Sequence, residues 1–110
     1  MNMSRLIAPA IAIAIAACPL ASQAEVDAAA LWSSRCANCH GDDGKAQTTM
    51  GRKHKIADLS SPARQKRSTD DDLRDVIENG VPDTRMKAYK DRLSAAEITA
   101  LIKYIRALPK

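Results

Sequence analysis

Hydrophobic positions along this chain fall into one unbroken run near the start and then into three helical patterns separated by polar sequence. The run is Leu6 to Ala17, twelve residues interrupted only by Pro9. Arg5 precedes it, and Ser22-Gln23-Ala24 follows as a small-x-Ala cleavage site before Glu25. Those are the three parts of a secretory signal peptide. Twelve helical residues span only about 18 Å, short of the roughly 30 Å hydrocarbon core of a bilayer, so a permanent transmembrane helix is the weaker reading. Cys18 offers a second processing route, because Ile15-Ala16-Ala17-Cys18 resembles a bacterial lipoprotein box, although Pro19 is unusual after a lipidated Cys. Cleavage after Ala24 makes residues 1–24 a removed secretory signal peptide, and by either route the folded domain is residues 25–110. It is expected to work outside the cytoplasm, in a bacterial periplasm, and to touch the membrane only if Cys18 is lipidated.

Within the domain, Asp27 is an N-cap for a helix through Ala28, Leu31 and Trp32 to about Cys39, ended by Gly41 and Gly44. A long polar stretch, Asp43 to Arg67, follows, with a short turn expected near Ile56 to Leu59. Ser68 or Thr69 caps a second helix, in which Asp70, Asp71 and Asp72 suit the positive N-terminal end. Leu73, Val76 and Ile77 give it one apolar face, and Asn79-Gly80 stops it. The third helix has the clearest signature. Ser94 to Glu97 is a capping box, and Ile98, Leu101, Ile102, Ile105 and Leu108 follow the 3.6-residue period before Pro109. No alternating strand pattern and no internal repeat occurs. The expected fold class is all-α, three main helices with long loops.

Composition makes that architecture incomplete. Residues 25–110 carry sixteen basic and thirteen acidic side chains, a net charge of +3, and 33 apolar residues of which 12 are Ala. Two more are Cys, which leaves 19 large apolar side chains and no Phe. Three short helices with so small a stock do not offset the entropy of ordering the chain. A domain of this size usually needs disulfides, a metal or a cofactor to complete its interior.

Cys36-Ala37-Asn38-Cys39-His40 is C-x-x-C-H, the attachment sequence for c-type haem. On a helix, Cys36 and Cys39 at i and i+3 share a face and can form thioethers with the two vinyl groups along one porphyrin edge. His40 is then carried under the ring, where its imidazole can bind iron. The flat apolar macrocycle would fill the space that side chains leave. A Cys36–Cys39 disulfide explains neither His40 nor the missing core. A zinc site is one ligand short, because only His54 remains. A thioredoxin-like redox pair expects a βαβ context that is not visible.

From these residues the domain resembles a class I monohaem cytochrome c. The likeness is carried by Cys36 to Gly41 with Asp43-Gly44, by Asp58-Leu59-Ser60, by Val76 to Val81, by Met86 with Ala88-Tyr89, and by Leu93-Ser94 leading to Leu101 through Ile105. The resemblance implies a small cytochrome c-like fold around one haem c, with His40 as proximal ligand and Met86 as distal ligand. It also implies that the first and last helices cross, Ala28 and Trp32 packing on Leu101 and Tyr104. The family commonly has Gly where Ala28 stands and Pro where Ala57 and Lys87 stand. Ala57 can still offer its carbonyl to His40, the bond that fixes the imidazole tautomer. Lys87 leaves the ligand loop less rigid.

Three residues compete for the sixth position. Met86 lies in a polar loop, Pro82 to Lys87, without helical period, so core filling explains it poorly. Met50 precedes Gly51 in a loop that could approach the haem, and His54, within Arg52 to Lys55, reads as a solvated loop histidine. With His and Met bound, the iron has no open position, and the softer Met raises the reduction potential. The expected function is a periplasmic single-electron carrier and not an enzyme. One alternative is a haem subunit of a periplasmic oxidoreductase; another is a ligand sensor or peroxidase-like site with a labile Met86. Basic residues cluster as Arg52/Lys53/Lys55, Arg64/Lys66/Arg67 and Arg85/Lys87/Lys90/Arg92. The bland reading is that they are solvated faces. The sharper one is that the third group rings the haem edge and steers larger periplasmic or membrane redox proteins with acidic docking faces. Export and the modest charge argue against nucleic acid, and a monomer is expected.

Overall fold

The computed structural model describes residues 9–13 and 25–110. Cys18 and most of the expected leader lie outside the described residues. No helix among those described is long and apolar enough to cross a membrane.

The described residues form helices and no strand, in the order α1 (Ala28–Arg35), α2 (Ala37–His40), α3 (Thr49–Lys53), α4 (Pro62–Arg67), α5 (Asp70–Asn79) and α6 (Ala95–Arg106). The three longest match the three expected from periodicity. Each starts at a side-chain cap. Asp27 Oδ1 accepts from Ala30 N–H at 3.0 Å, and reciprocal boxes close on Thr69–Asp72 and Ser94–Glu97. Gly41 and Gly80, at φ of 80° and 69°, turn the chain out of α2 and α5 in a conformation that suits glycine.

Two expectations need correction. The first helix does not run unbroken to Cys39; at Cys36 φ falls to −117°, which separates α1 from α2. The stretch 43–67 is also more structured than its polarity suggested, because it contains α3 and α4, while the turn falls at Leu59-Ser60 rather than across 56–59. Neither short helix has an apolar period. α3 depends on Thr48, whose Oγ1 accepts from Gly51 N–H and donates to the Cys39 carbonyl, both at 2.8 Å. α4 is held from outside: Gln65 Nε2 donates to the Leu59 and Ile105 carbonyls at 2.7 and 3.0 Å. Arg106 on α6 completes this clasp, reaching the carbonyl and side chain of Gln65, the Ser68 carbonyl and Asp70.

The core is a single cluster of Trp32, Ile77, Leu93, Ile98, Leu101, Ile102, Ile105 and Leu108. Burial of such an aliphatic side chain contributes about 1.5–3 kcal/mol. α6 supplies half of the cluster and packs against both α1 and α5. The expected crossing of first and last helices is present: the rings of Trp32 and Tyr104 lie 5.3 Å apart, with Ala28 half-buried one turn earlier. The α1–α6 pair and α5 thus form three walls of a space on which the rest of the chain closes.

Candidate functional site

The first wall of the site is a single helical turn. Cys36 N–H donates to the Trp32 carbonyl at 2.9 Å, and His40 N–H donates to the Cys36 carbonyl at 3.0 Å. This turn keeps Cys36 and Cys39 at i and i+3 and delivers His40 directly after them. The buried Trp32 indole donates to the Gly41 carbonyl at 2.9 Å, which ties the end of the turn to α1. Trp32 and His40 rings stand 5.9 Å apart. On the far side, Gly51 lets α3 approach: a Cβ there would lie 2.1 Å from the Ala46 carbonyl oxygen.

The second wall is the loop after α5. Gly80 is required by its positive φ and by space, since a Cβ would meet the Met86 carbonyl oxygen at 2.6 Å. Val81 N–H donates to that carbonyl at 3.1 Å, and Tyr89 N–H donates to the Ile77 carbonyl at 2.9 Å. Thr84 Oγ1 accepts from Met86 N–H at 3.1 Å and donates to the Val81 carbonyl at 2.8 Å. The Tyr89 hydroxyl donates across the site to the Arg35 carbonyl at 3.3 Å. Lys87 in place of proline therefore leaves a loop that backbone and hydroxyl hydrogen bonds still close.

Between these walls lies a cavity of about 390 Å³, lined by Cys36, Cys39, His40 and Met86 together with Ile56, Leu59, Leu73, Ile77, Leu101 and Ile105. All four sequence-predicted site residues are thus brought together. Met50 and His54 do not line it. His54 also departs from expectation, because its Nε2 is buried with no hydrogen-bond partner rather than solvated. Packing of α3 against α2 draws the histidine at its C-cap inward.

Burial governs the chemistry of the first wall. It pushes the Cys36 thiol up to about 11, against a small opposing pull from Arg35. It also holds His40 below the ordinary imidazole value, which favours the neutral, metal-binding form. His40 Nδ1 is buried without a partner. The expected bond to the Ala57 carbonyl is not formed, although Ala57 lines the same cavity. Sequence reading did not single out Arg35 and placed Arg64 only in a basic surface cluster, yet both line the cavity. Arg35 was signalled by its place directly before Cys36; Arg64 sits on a helix with no pattern to announce it.

The donor set fits a covalent haem. Two thiols and an imidazole stand on one wall and a thioether on the other, with apolar side chains between them. The volume lies within the roughly 300–1,000 Å³ usual for ligand sites.

Comparison with known proteins agrees. The model of the family described as cytochrome C oxidase, cbb3-type, subunit III, matches residues 23–105. No curated protein matches the chain significantly. Among solved structures, the chain is similar to the KustC0563 c-type cytochrome, with 27% identity and a TM-score of 0.71 over 77% of this chain and 100% of that one. It is similar to cytochrome c6C from Synechococcus sp. PCC 7002, with 26% identity and a TM-score of 0.54 over 72% of this chain and 89% of that one. It also resembles part of the dihydro-heme d1 dehydrogenase NirN, with 28% identity and a TM-score of 0.60 over 73% of this chain but 16% of that one.

Proposed function

The chain belongs to the family described as cytochrome C oxidase, cbb3-type, subunit III, a family of c-type cytochromes, and on that premise we propose that it is a periplasmic one-electron carrier with a single haem c. Cys36 and Cys39 would hold the macrocycle through thioethers, and His40 and Met86 would supply the ligands to its iron. Bound there, the haem supplies a one-electron iron couple. The polypeptide would transform no substrate: its walls are mostly apolar, and with His40 and Met86 both ligating, no position would be left open to one. Met86, the softer donor, biases the couple toward the reduced form. The single observation that carries this reading is the convergence of Cys36, Cys39, His40 and Met86 on one mostly apolar cavity.

Arg85, Lys87, Lys90 and Arg92 are exposed on and after the Met86 loop, and the first two reach the cavity. They form a basic rim that steers larger redox proteins with acidic faces. Residues 1–24 export the chain, which acts as a monomer.

A second reading, a haem subunit of a periplasmic oxidoreductase, is favoured by the likeness to 16% of NirN, where a domain of this shape is part of a larger protein. Size-exclusion of the native protein separates the two: elution at the size of one chain supports the carrier, and elution with a larger partner supports the subunit.

The visible spectrum of protein made in a host that attaches haem c tests the main reading, taken with the Met86→Ala variant. The wild-type protein should carry denaturant-resistant, six-coordinate haem that binds no carbon monoxide when reduced. Met86→Ala should lower the potential and bind carbon monoxide. A colourless but compactly folded wild-type protein would refute the haem reading. An unchanged potential in the variant would remove Met86, and carbon monoxide binding to the reduced wild type would favour a sensor.

A further inference from the structure

The chain leaves α5 at Gly80 and is next tied back to that helix where Tyr89 and Lys90 N–H groups donate to the Ile77 and Glu78 carbonyls, at 2.9 and 3.2 Å. The span between carries Met86, and burial does not anchor it: Val81 to Arg85, Lys87 and Ala88 are all exposed. Its shape comes from one side chain. Asp83, at a φ of 60°, turns the chain back, and Thr84 then donates from both N–H and Oγ1 to the Val81 carbonyl, at 3.3 and 2.8 Å. The same Oγ1 accepts from Met86 N–H at 3.1 Å, while Val81 N–H donates to the Met86 carbonyl at 3.1 Å. Among the described residues no other side chain from Pro82 to Ala88 makes a hydrogen bond or an ion pair, and the Met86 amide has no other partner.

Lys87 adds no restraint of its own. A proline there would fix its own φ and confine Met86 to extended backbone. Lys87 leaves both free, and its N–H donates no hydrogen bond among the described residues. Without the Thr84 hydroxyl the Met86 amide loses its partner and the turn loses its tie to Val81, so conformations that withdraw the thioether from the cavity gain in population. One hydrogen bond of ordinary net strength shifts such an equilibrium about fivefold. Thr84 lines the same cavity as Met86, so the hydroxyl stands beside the side chain whose backbone it holds. We propose that Thr84 is the positioning residue for the sixth ligand. Its hydroxyl latches the loop so that Met86 stays on the iron, and one exposed side chain thereby keeps the site closed to added ligands. This assignment rests on the haem reading and deepens it.

The test is the affinity of oxidised, haem-loaded protein for imidazole, read by visible titration. An added ligand binds only the fraction of molecules in which Met86 has left, so its apparent affinity scales with that fraction. Thr84→Val, at an exposed position, disturbs no core packing and should bind imidazole roughly 5- to 30-fold more tightly than wild type, the effect of losing one or two hydrogen bonds. Met86→Ala should bind it more tightly still. Thr84→Ser keeps the hydroxyl and should stay near wild type. Lys87→Pro added to Thr84→Val stiffens Met86 without removing a hydrogen bond and should bring the affinity back toward wild type. Ser94→Ala weakens the fold at the start of α6, away from the loop, and should leave the affinity unchanged. A wild-type affinity in haem-loaded Thr84→Val would overturn the assignment alone, as would an equal gain in Ser94→Ala or a gain in Thr84→Val that Thr84→Ser shares and Lys87→Pro does not reverse. Met86→Ala with the wild-type affinity would remove Met86 as ligand and Thr84 with it. A wild-type protein without haem would overturn the haem reading and this assignment together.

Discussion

Ser60 is 1% exposed and is the buried polar side chain of the core region. Its hydroxyl donates to Asp58 Oδ1 at 2.6 Å and receives Lys45 Nζ at 2.8 Å, and its backbone N–H adds a second bond to Asp58 at 2.8 Å. The Ser60 hydroxyl is the main cause that holds the Asp58 carboxyl below the ordinary value of 3.8, with Lys45 a smaller one. A carboxyl depressed in the folded state stabilises the fold fully above 3.8, and that stabilisation is lost as pH falls through the lower folded value. Ser60→Ala should therefore unfold more easily at neutral pH, by about 1 kcal/mol, the net value of a buried hydrogen bond. The gap from wild type should narrow in acid. Urea unfolding of both proteins at neutral pH and below 3.8 checks this; a gap that is constant with pH would show that Asp58 is not the partner that matters. At this scale the site was legible wherever a residue's chemistry is local. C-x-x-C-H announces itself by spacing, and Met86 by sitting in a polar loop. Burial of His54 Nε2 and the lack of a partner for His40 Nδ1 were not legible, because both depend on neighbours distant in sequence.

Capping decides where the longer elements begin. In α6, Ser94 Oγ accepts from Glu97 N–H at 3.1 Å while Glu97 Oε1 accepts from Ser94 N–H at 2.9 Å. Ser94→Ala removes one side of that box from the helix that supplies Ile98, Leu101, Ile102 and Ile105 to the core. The expected loss is about 1 kcal/mol, read as a fall of roughly 4–8 °C in Tm for a domain of this size. An unchanged Tm by circular dichroism would mean that tertiary packing alone fixes the start of α6. The same caps made α5 and α6 legible from sequence, because the side chain that makes the bond lies three residues from its partner. α3 and α4 also have local caps, Thr48 and Ser61, but at five and six residues long they have no apolar period to single them out, and remote groups complete their ordering: the Cys39 carbonyl for α3, and Arg106, some forty positions on, for α4. The break at Cys36 had no Gly or Pro to mark it.

For the whole molecule, the distribution of charge matters more than its sum. A net charge of +3 on residues 25–110 is modest, yet Arg35, Arg85 and Lys87 all stand at the cavity while only Asp72 opposes them. Exposed Val76 and Val81, at 36% and 38%, lie at the same opening, so an apolar edge is framed by cations. If the partner proposed above presents an acidic face, such a rim would attract it before close contact forms, and the attraction would act on the association rate. The rate constant for electron transfer to an acidic redox protein should therefore fall as ionic strength rises, since the screening length is only about 10 Å at 0.1 M salt. Arg85→Glu should slow the low-salt reaction several-fold, within the roughly 10- to 1,000-fold range that steering spans. Arg52→Glu makes the same charge reversal on α3, at a residue that does not line the cavity, and should cost much less. Stopped-flow measurement of both variants against salt separates a directed field from net charge. Equal losses in the two would mean that the partner responds to the sum of the charges and that the opening of the cavity is not where it docks.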